Sequence, residues 1–256
     1  MQEKIFWNDE SSLLIHIPHS STVIPQEVKN SFVTKDLKGE IFRMTDWYTD
    51  ELFNQGNSMI VFPISRLVCD VERFRDDKEE VVVKIGMGVS YTRCSDFSPL
   101  RTVKKLEKHR VLKKYYDPHH GTLTEMVARK LKKYGHCCII DGHSFPSNPL
   151  PYEKNPRSKR LDFCIGTDSY HSSEKMVNTI VKNIQKAGYT VEINSPFSGS
   201  IVPMEFYRKN RRVQSVMIEI NRGLYMDERG RKTEGFARIS NLMKEIQKVQ
   251  ADAGVL

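Results

Sequence analysis

The sequence predicts an α/β protein, a three-layer α/β/α sandwich of the phosphorylase/hydrolase-like kind, with a mixed, mostly parallel central sheet. Short apolar runs of strand length alternate with longer helical patterns, the order that builds a sheet covered by helices on both faces. LLIHI, CCII and VMIEI read as buried strands. With 256 residues, 39% of them hydrophobic, the chain can form one sizeable core, so a single domain over residues 1–256 is expected.

LLIHIP, Leu13 to Pro18, is a strand closed by proline that delivers His19 to the loop at its end, where α/β enzymes place ligands. Glu40 to Phe53 reads as one helix, with Ile41, Met44, Tyr48 and Leu52 on one face and Phe42, Asp46 and Phe53 on another. Met59 to Phe62 is a strand, followed by an extended piece carrying Arg66, Asp70 and Arg73. Ser98-Pro99 opens a basic helix to about Tyr116, and Asp117-Pro118 opens another to about Lys133, each with a polar residue before proline at its start. CCIIDGHS, Cys137 to Ser144, is again strand. The Pro-rich stretch from Phe145 to Arg160 is a loop long enough to serve as an active-site lid. LDFCIG is a strand, His171 to Ala187 a helix, TVEIN a strand, PFSGS a turn, Ser215 to Arg222 a strand, and Glu234 to Val249 a closing helix.

No run approaches the roughly 18 apolar residues of a membrane helix, and the polar first segment does not resemble a signal peptide, so a cytoplasmic protein is expected. Cys69, Cys94, Cys137, Cys138 and Cys164 form no C-x-x-C pair, and their odd number speaks for reduced thiols. The net charge of +8 is concentrated in KKLEKHRVLKK, RKLKK, NPRSKR and RKNRR, which raises a nucleic-acid partner as an alternative. Solvated helix faces account for the first two segments more simply, and a basic field also draws in a small acidic substrate.

His19, Asp141 with His143, and Glu219 sit at the ends of, or inside, three apolar strands. A buried ionised carboxylate costs several kcal/mol unless it is paired or near a metal. Two histidines and a carboxylate form a common zinc hydrolase set, and zinc brings the pKa of its water to about 7. His19 and His143 are the candidate nitrogen ligands, Asp46 the candidate carboxylate, and Glu219 the proton carrier. Simpler roles stand beside these: Asp46 could pair with Arg43, Glu219 with Arg66 or Arg222, and His16 reads as a core histidine. No compact H-E-x-x-H motif is present.

PHSS from Pro18, TDWYTDELF from Thr45, SRLVCDVERF from Ser65, DGHS from Asp141, DFCIGT from Asp162, NSPFSGS from Asn194 and IEINRGLYMDE from Ile218 follow in the order of the N-formylglutamate amidohydrolase family, which the chain resembles over nearly its whole length. The resemblance implies a fold similar to that of zinc carboxypeptidases and related deacylases, one bound metal ion, and hydrolysis of N-formyl-L-glutamate, or a close N-acyl amino acid, to formate and glutamate, a late step of histidine degradation. A deacylase of another substrate is the alternative. By position, His19 and His143 fall on the histidine ligands and Glu219 on the general base. Asp46 matches the acidic position opening the family's helix, with Asp50 its rival. The carboxylate that carboxypeptidases place three residues after the first histidine is Thr22 here. Arg73 and Arg222 are the expected holders of substrate carboxylates, and Arg66 holds a carboxylate or stabilises the oxyanion. Asn194, Ser198 and Gly199 are expected to line the pocket. Two positions depart from the family pattern, Glu72 for asparagine and Ser195 for arginine, which leaves the exact acyl amino acid open.

Overall fold

The computed structural model describes residues 4–153 and 160–252. Its strands are β1 (Lys4–Phe6), β2 (Leu13–Ile17), β3 (Ser58–Val61), β4 (Cys137–Phe145), β5 (Phe163–Thr167), β6 (Val191–Ile193) and β7 (Val213–Asn221). They join in one sheet of order β1-β3-β2-β4-β7-β5-β6. β3, β2, β4 and β7 run parallel, whereas β1 against β3 and β5 against β7 are antiparallel. The sheet is therefore mixed and mostly parallel, as the sequence predicts.

Alternation along the strands divides the core. Ile15, Ile17, Ile140, Ile218 and Ile220 face α6 (Glu174–Lys186) and α7 (Gly235–Asp252), meeting Ile180, Ile184, Ile239 and Met243. Leu14, Cys137, Ile139 and Val213 face α5 (Asp117–Tyr134), meeting Leu123, Met126 and Val127. Each such side chain, fully buried, contributes about 1.5–3 kcal/mol. His16, Asp141, His143 and Glu219 share the α5 face, with His16 opposite Asp141 and His143 opposite Glu219 in the strand register. Helix α5 covers the start of that face, and a cavity opens over the carboxyl ends of β4 and β7.

After the short helix α1 (Gln26–Lys29), the helix expected from Glu40 to Phe53 is broken. Helix α2 (Leu37–Met44), capped by Asp36, ends at an extended Thr45, and α3 (Thr49–Leu52) starts after a left-handed Tyr48 with φ 64°. Asp46 lies in the break, where its backbone N–H donates to the His19 carbonyl at 3.0 Å and ties it to the loop after β2.

The piece carrying Arg66, Asp70 and Arg73 is a series of turns rather than a strand, with Val68 and Arg73 N–H donating to the Ser65 and Asp70 carbonyls. The basic helix begins at Lys105, not Ser98. Its α4 segment (Lys105–Val111) runs through a π-helical turn, Leu112–Tyr116, directly into α5. Pro118 therefore lies inside a continuous helical run, its missing N–H accommodated where the wider turn already displaces the i→i−4 ladder. Helix α6 starts at Glu174 behind its Ser173 cap, later than the expected His171. β1 was not foreseen. Residues 154–159 of the Pro-rich stretch, which hold most of NPRSKR and part of the expected lid, lie outside the described residues.

Candidate metal centre and substrate pocket

Three acceptor atoms converge where β2 and β4 end. His19 Nδ1 lies 3.2 Å from His143 Nδ1, His143 Nδ1 lies 3.1 Å from Asp46 Oδ2, and His19 Nδ1 lies 3.7 Å from the same oxygen. All three residues are buried. The far side of each ring meets another carboxylate: His19 Nε2 donates to Asp70 Oδ1 at 2.8 Å, and His143 Nε2 faces Asp141 Oδ1 at 3.1 Å, near enough for an ion pair although poorly aligned for a hydrogen bond. Those partners place the ring protons on Nε2, leaving two Nδ1 lone pairs and a carboxylate oxygen aimed at one another. Such a set calls for a cation.

The spacing suits a metal ion. A tetrahedral ion with bonds of about 2.0–2.1 Å holds its ligands about 3.3–3.4 Å apart. A second cluster, His16, Glu72 and Asp141, differs: His16 Nδ1 is 2.8 Å from Asp141 Oδ1, a hydrogen-bond distance, and His16 Nε2 is 2.9 Å from His119 Nε2. That cluster is a hydrogen-bonded chain whose Asp141 oxygen also faces His143. Without metal, a proton takes the cation's place. Burial opposes charge on His143, but Asp141 and then Asp46 hold its imidazolium well above the ordinary histidine range.

Asp46 is fixed on its other oxygen by Arg222, whose Nη2 donates to Oδ1 at 3.2 Å. Arg222 also donates from Nε to Ser144 Oγ at 3.2 Å and from Nη1 to the Arg43 carbonyl at 2.7 Å. Its fork is thus occupied by protein acceptors, and the expected grip on a substrate carboxylate gives way to the orientation of Asp46. Arg43 pairs with Glu40 and Asp36, so the simple Arg43–Asp46 pair is not formed. Asp50, the rival ligand, faces Lys4 at 3.7 Å and does not join the cluster.

Glu219 stands beside His143 in the register and lines the cavity. Burial raises its carboxyl to about 7, His143 opposes the rise, Asp46 adds to it, and Arg66 and Arg222 oppose it. Its buried Oε2 has no hydrogen-bond partner, and among the described residues no ion pair forms with Arg66 or Arg222. A buried carboxyl free to gain or lose a proton near neutral pH has the character of a general base.

The cavity, about 1300 Å³, exceeds the roughly 300–1,000 Å³ that usually holds a drug-sized ligand, so its size does not restrict the substrate. Arg66 and Arg73 line it, and the buried Nε of each lacks a hydrogen-bond partner. Glu72 lies between Arg73 and the His16 chain; burial, and next Asp141, push its carboxyl well above the usual range. The turn of Asn194, Ser195, Ser198 and Gly199 also lines the cavity. Asn194 directs its side chain to Thr167, accepting from its N–H at 2.9 Å and donating to its Oγ1 at 2.7 Å, so it fixes the turn to the end of β5. Gly166 lets that turn settle on the sheet, because a Cβ there would collide with the Gly199 carbonyl and the Met217 side chain.

The expected ligands His19, Asp46 and His143 are brought together, with Glu219, Arg66 and Arg73 around one cavity. Sequence reasoning gave no role to Asp70 or Asp141, which hold the two histidines, or to Tyr91, which donates to Asp70 Oδ2 at 2.8 Å. Asp141 was visible as a carboxylate closing the apolar run CCII, but Tyr91 carries no signal of its own. The five cysteines are free and buried, and among the described residues no helix is long and apolar enough to cross a membrane.

Residues 11–226 match the model of the N-formylglutamate amidohydrolase family. N-formylglutamate deformylase of Pseudomonas putida is 25% identical over 247 residues, 93% of this chain and 88% of its own. The enzyme of that name from Pseudomonas aeruginosa is 26% identical over 84% of this chain and 82% of its own. Among solved structures, N-formylglutamate amidohydrolase from Ralstonia eutropha superposes with a TM-score of 0.84 at 23% identity, covering 98% of this chain and 97% of the other. A gene product of Agrobacterium tumefaciens does so with a TM-score of 0.68 at 17% identity, covering 98% and 95%. These two likenesses concern the fold.

Proposed function

Since the chain belongs to the N-formylglutamate amidohydrolase family, we propose that it is a metal-dependent enzyme hydrolysing N-formyl-L-glutamate, or a close N-acyl acidic amino acid, to formate and the free amino acid. The observation that carries the metal dependence is the convergence of His19 Nδ1, His143 Nδ1 and Asp46 Oδ2 on one point. A divalent ion held there, zinc by the nitrogen-rich donor set, supplies Lewis-acid polarisation of the acyl oxygen and a water acidic enough to ionise near neutral pH.

This chain's own residues supply the rest. Glu219, beside His143, takes a proton from the attacking water at its free Oε2 and returns it to the amine nitrogen as the C–N bond breaks. Arg66, half-buried with a buried, unused Nε–H, donates to the oxygen on which charge develops. Arg73 grips a substrate carboxylate, and the turn with Ser198 and Gly199, which lines the same cavity, bounds the acyl amino acid. The basic net charge favours entry of a dianion. The reduced thiols suit a cytoplasmic site of action, and the products suit a late step of histidine degradation.

Formate release from N-formyl-L-glutamate tests the reading against a panel of N-formyl-L-aspartate, N-acetyl-L-glutamate and N-formyl-L-leucine. Highest kcat/KM on the formylated acidic substrates supports it. Preference for N-formyl-L-leucine, which lacks a side-chain carboxylate, contradicts the arginine assignments, and faster release of acetate than formate contradicts the formyl specificity.

A further inference from the structure

Asp70 stands between the histidine that faces the metal position and the arginines that face the substrate position. Its Oδ1 accepts from His19 Nε2 at 2.8 Å and from the Glu72 backbone N–H at 3.0 Å. Its Oδ2 accepts from Tyr91 Oη at 2.8 Å and Arg66 Nη2 at 3.0 Å, with Arg73 Nε at 3.5 Å. One fully buried carboxylate thus touches a ring whose other nitrogen belongs to the converging set, and two guanidinium groups that line the cavity, each with a buried Nε that makes no hydrogen bond.

We propose that Asp70 is a positioning residue that couples substrate binding to cation retention: an anionic group drawn onto Arg66 and Arg73 strengthens the Asp70–His19 hydrogen bond and so tightens the hold of His19 Nδ1 on the cation. This rests on the metal centre and the acidic substrate proposed above. Arg66 and Arg73 neutralise part of the Asp70 charge, and a substrate carboxylate accepting from their free N–H groups shares that positive field. Asp70 then accepts more strongly from His19 Nε2–H, and an imidazole that donates a stronger hydrogen bond at one nitrogen is the better electron donor at the other. Coupling of this kind is reciprocal, so the cation strengthens anion binding by the same factor. A loaded site would keep its metal while substrate is present.

The test uses the zinc-loaded full chain in competition with a chelating fluorescent indicator, with and without saturating glutarate. Glutarate has the two carboxylates but no amine with which to chelate the ion. In the unsubstituted protein it should raise the apparent zinc affinity by about 5-fold or more, within the usual range of coupling. Asp70→Asn keeps the size but not the charge; it should weaken zinc binding about 10- to 100-fold and remove the glutarate dependence. Arg73→Gln leaves the Asp70–His19 contact in place but removes part of the positive field on Asp70, so it should raise zinc affinity when glutarate is absent and reduce the further gain on adding glutarate. Glutarate that binds, by calorimetry, without changing zinc retention overturns the coupling while leaving the metal centre standing. Coupling of full size in Asp70→Asn also overturns it, since the anion would then be touching the ion directly. Should Asp70→Asn not fold, Arg73→Gln decides: undiminished coupling there overturns the proposal. Failure of the unsubstituted protein to bind zinc overturns the metal reading itself.

Discussion

His19 and His143 point their Nδ1 atoms at each other across 3.2 Å, although they come from chain positions 124 residues apart and each ring faces a buried carboxylate on its other side. With both Nε2 protons held by carboxylates, the two Nδ1 lone pairs meet with only a proton or a metal ion to bridge them. Asp46 completes the set from the break between α2 and α3, and its own orientation depends on Arg222.

Arg222→Lys tests that dependence. Lysine keeps the charge but not the planar fork that reaches Asp46, Ser144 and the Arg43 carbonyl together. Zinc affinity should fall about 10- to 100-fold, the usual loss when a ligand's support is removed. Unchanged affinity, measured by indicator competition, would show that Asp46 holds its position unaided.

Metal uptake should release protons and weaken in acid. In the metal-free protein Asp141 and Asp46 keep His143 protonated well above the ordinary range, so a cation must displace that proton. Apparent zinc affinity should increase with pH up to and beyond neutrality, and isothermal titration in buffers of different ionisation enthalpy would count the protons. A pH-independent affinity would contradict the assignment of His143.

Glu219→Gln should lower kcat by about 10²- to 10⁴-fold while zinc stays bound. The same substitution has a stability signature in the metal-free protein. Burial raises the Glu219 carboxyl from 4.5 to about 7, so the folded state holds a proton that the unfolded state releases between those values. The unsubstituted protein should lose stability relative to Glu219→Gln as pH rises from about 4.5 to 7, with the difference then constant. Denaturant melts of both proteins across this range measure it; parallel curves would mean that the carboxyl is not raised.

Gly166→Ala should destabilise the protein by about 1–3 kcal/mol, as overpacking generally does, because the new methyl meets the Gly199 carbonyl and Met217. Thermal unfolding provides the number. The loss should be accompanied by a higher KM, since the displaced turn forms a wall of the pocket.

The sheet was legible because buried parallel strands announce themselves as apolar runs: LLIHI, CCII and VMIEI lie in β2, β4 and β7, and the polar residues closing or interrupting them mark the site. The break at Thr45 to Tyr48 was not legible, because Ile41, Met44, Tyr48 and Leu52 keep helical spacing through it. What interrupts the helix is tertiary, the Asp46 N–H bonded to the His19 carbonyl. Asp117-Pro118 does mark the first residues of α5, but not that the π-helical turn before them joins α5 to α4 without a break. Arg222 shows the limit for single residues: its motif marks it as important, but whether its fork meets a ligand or Asp46 depends on contacts with residues 78 and 176 positions away.

On the proposed reading, His19, Asp46 and His143 hold an ion without which the amide bond is not cleaved. Elemental analysis of the purified protein, paired with formate release from N-formyl-L-glutamate before chelation, after it, and after adding zinc back, tests this directly. The expected result is one equivalent of metal per chain, loss of turnover together with the metal, and recovery on reloading in the unsubstituted protein but not in His143→Ala. Undiminished formate release from metal-free protein would contradict it.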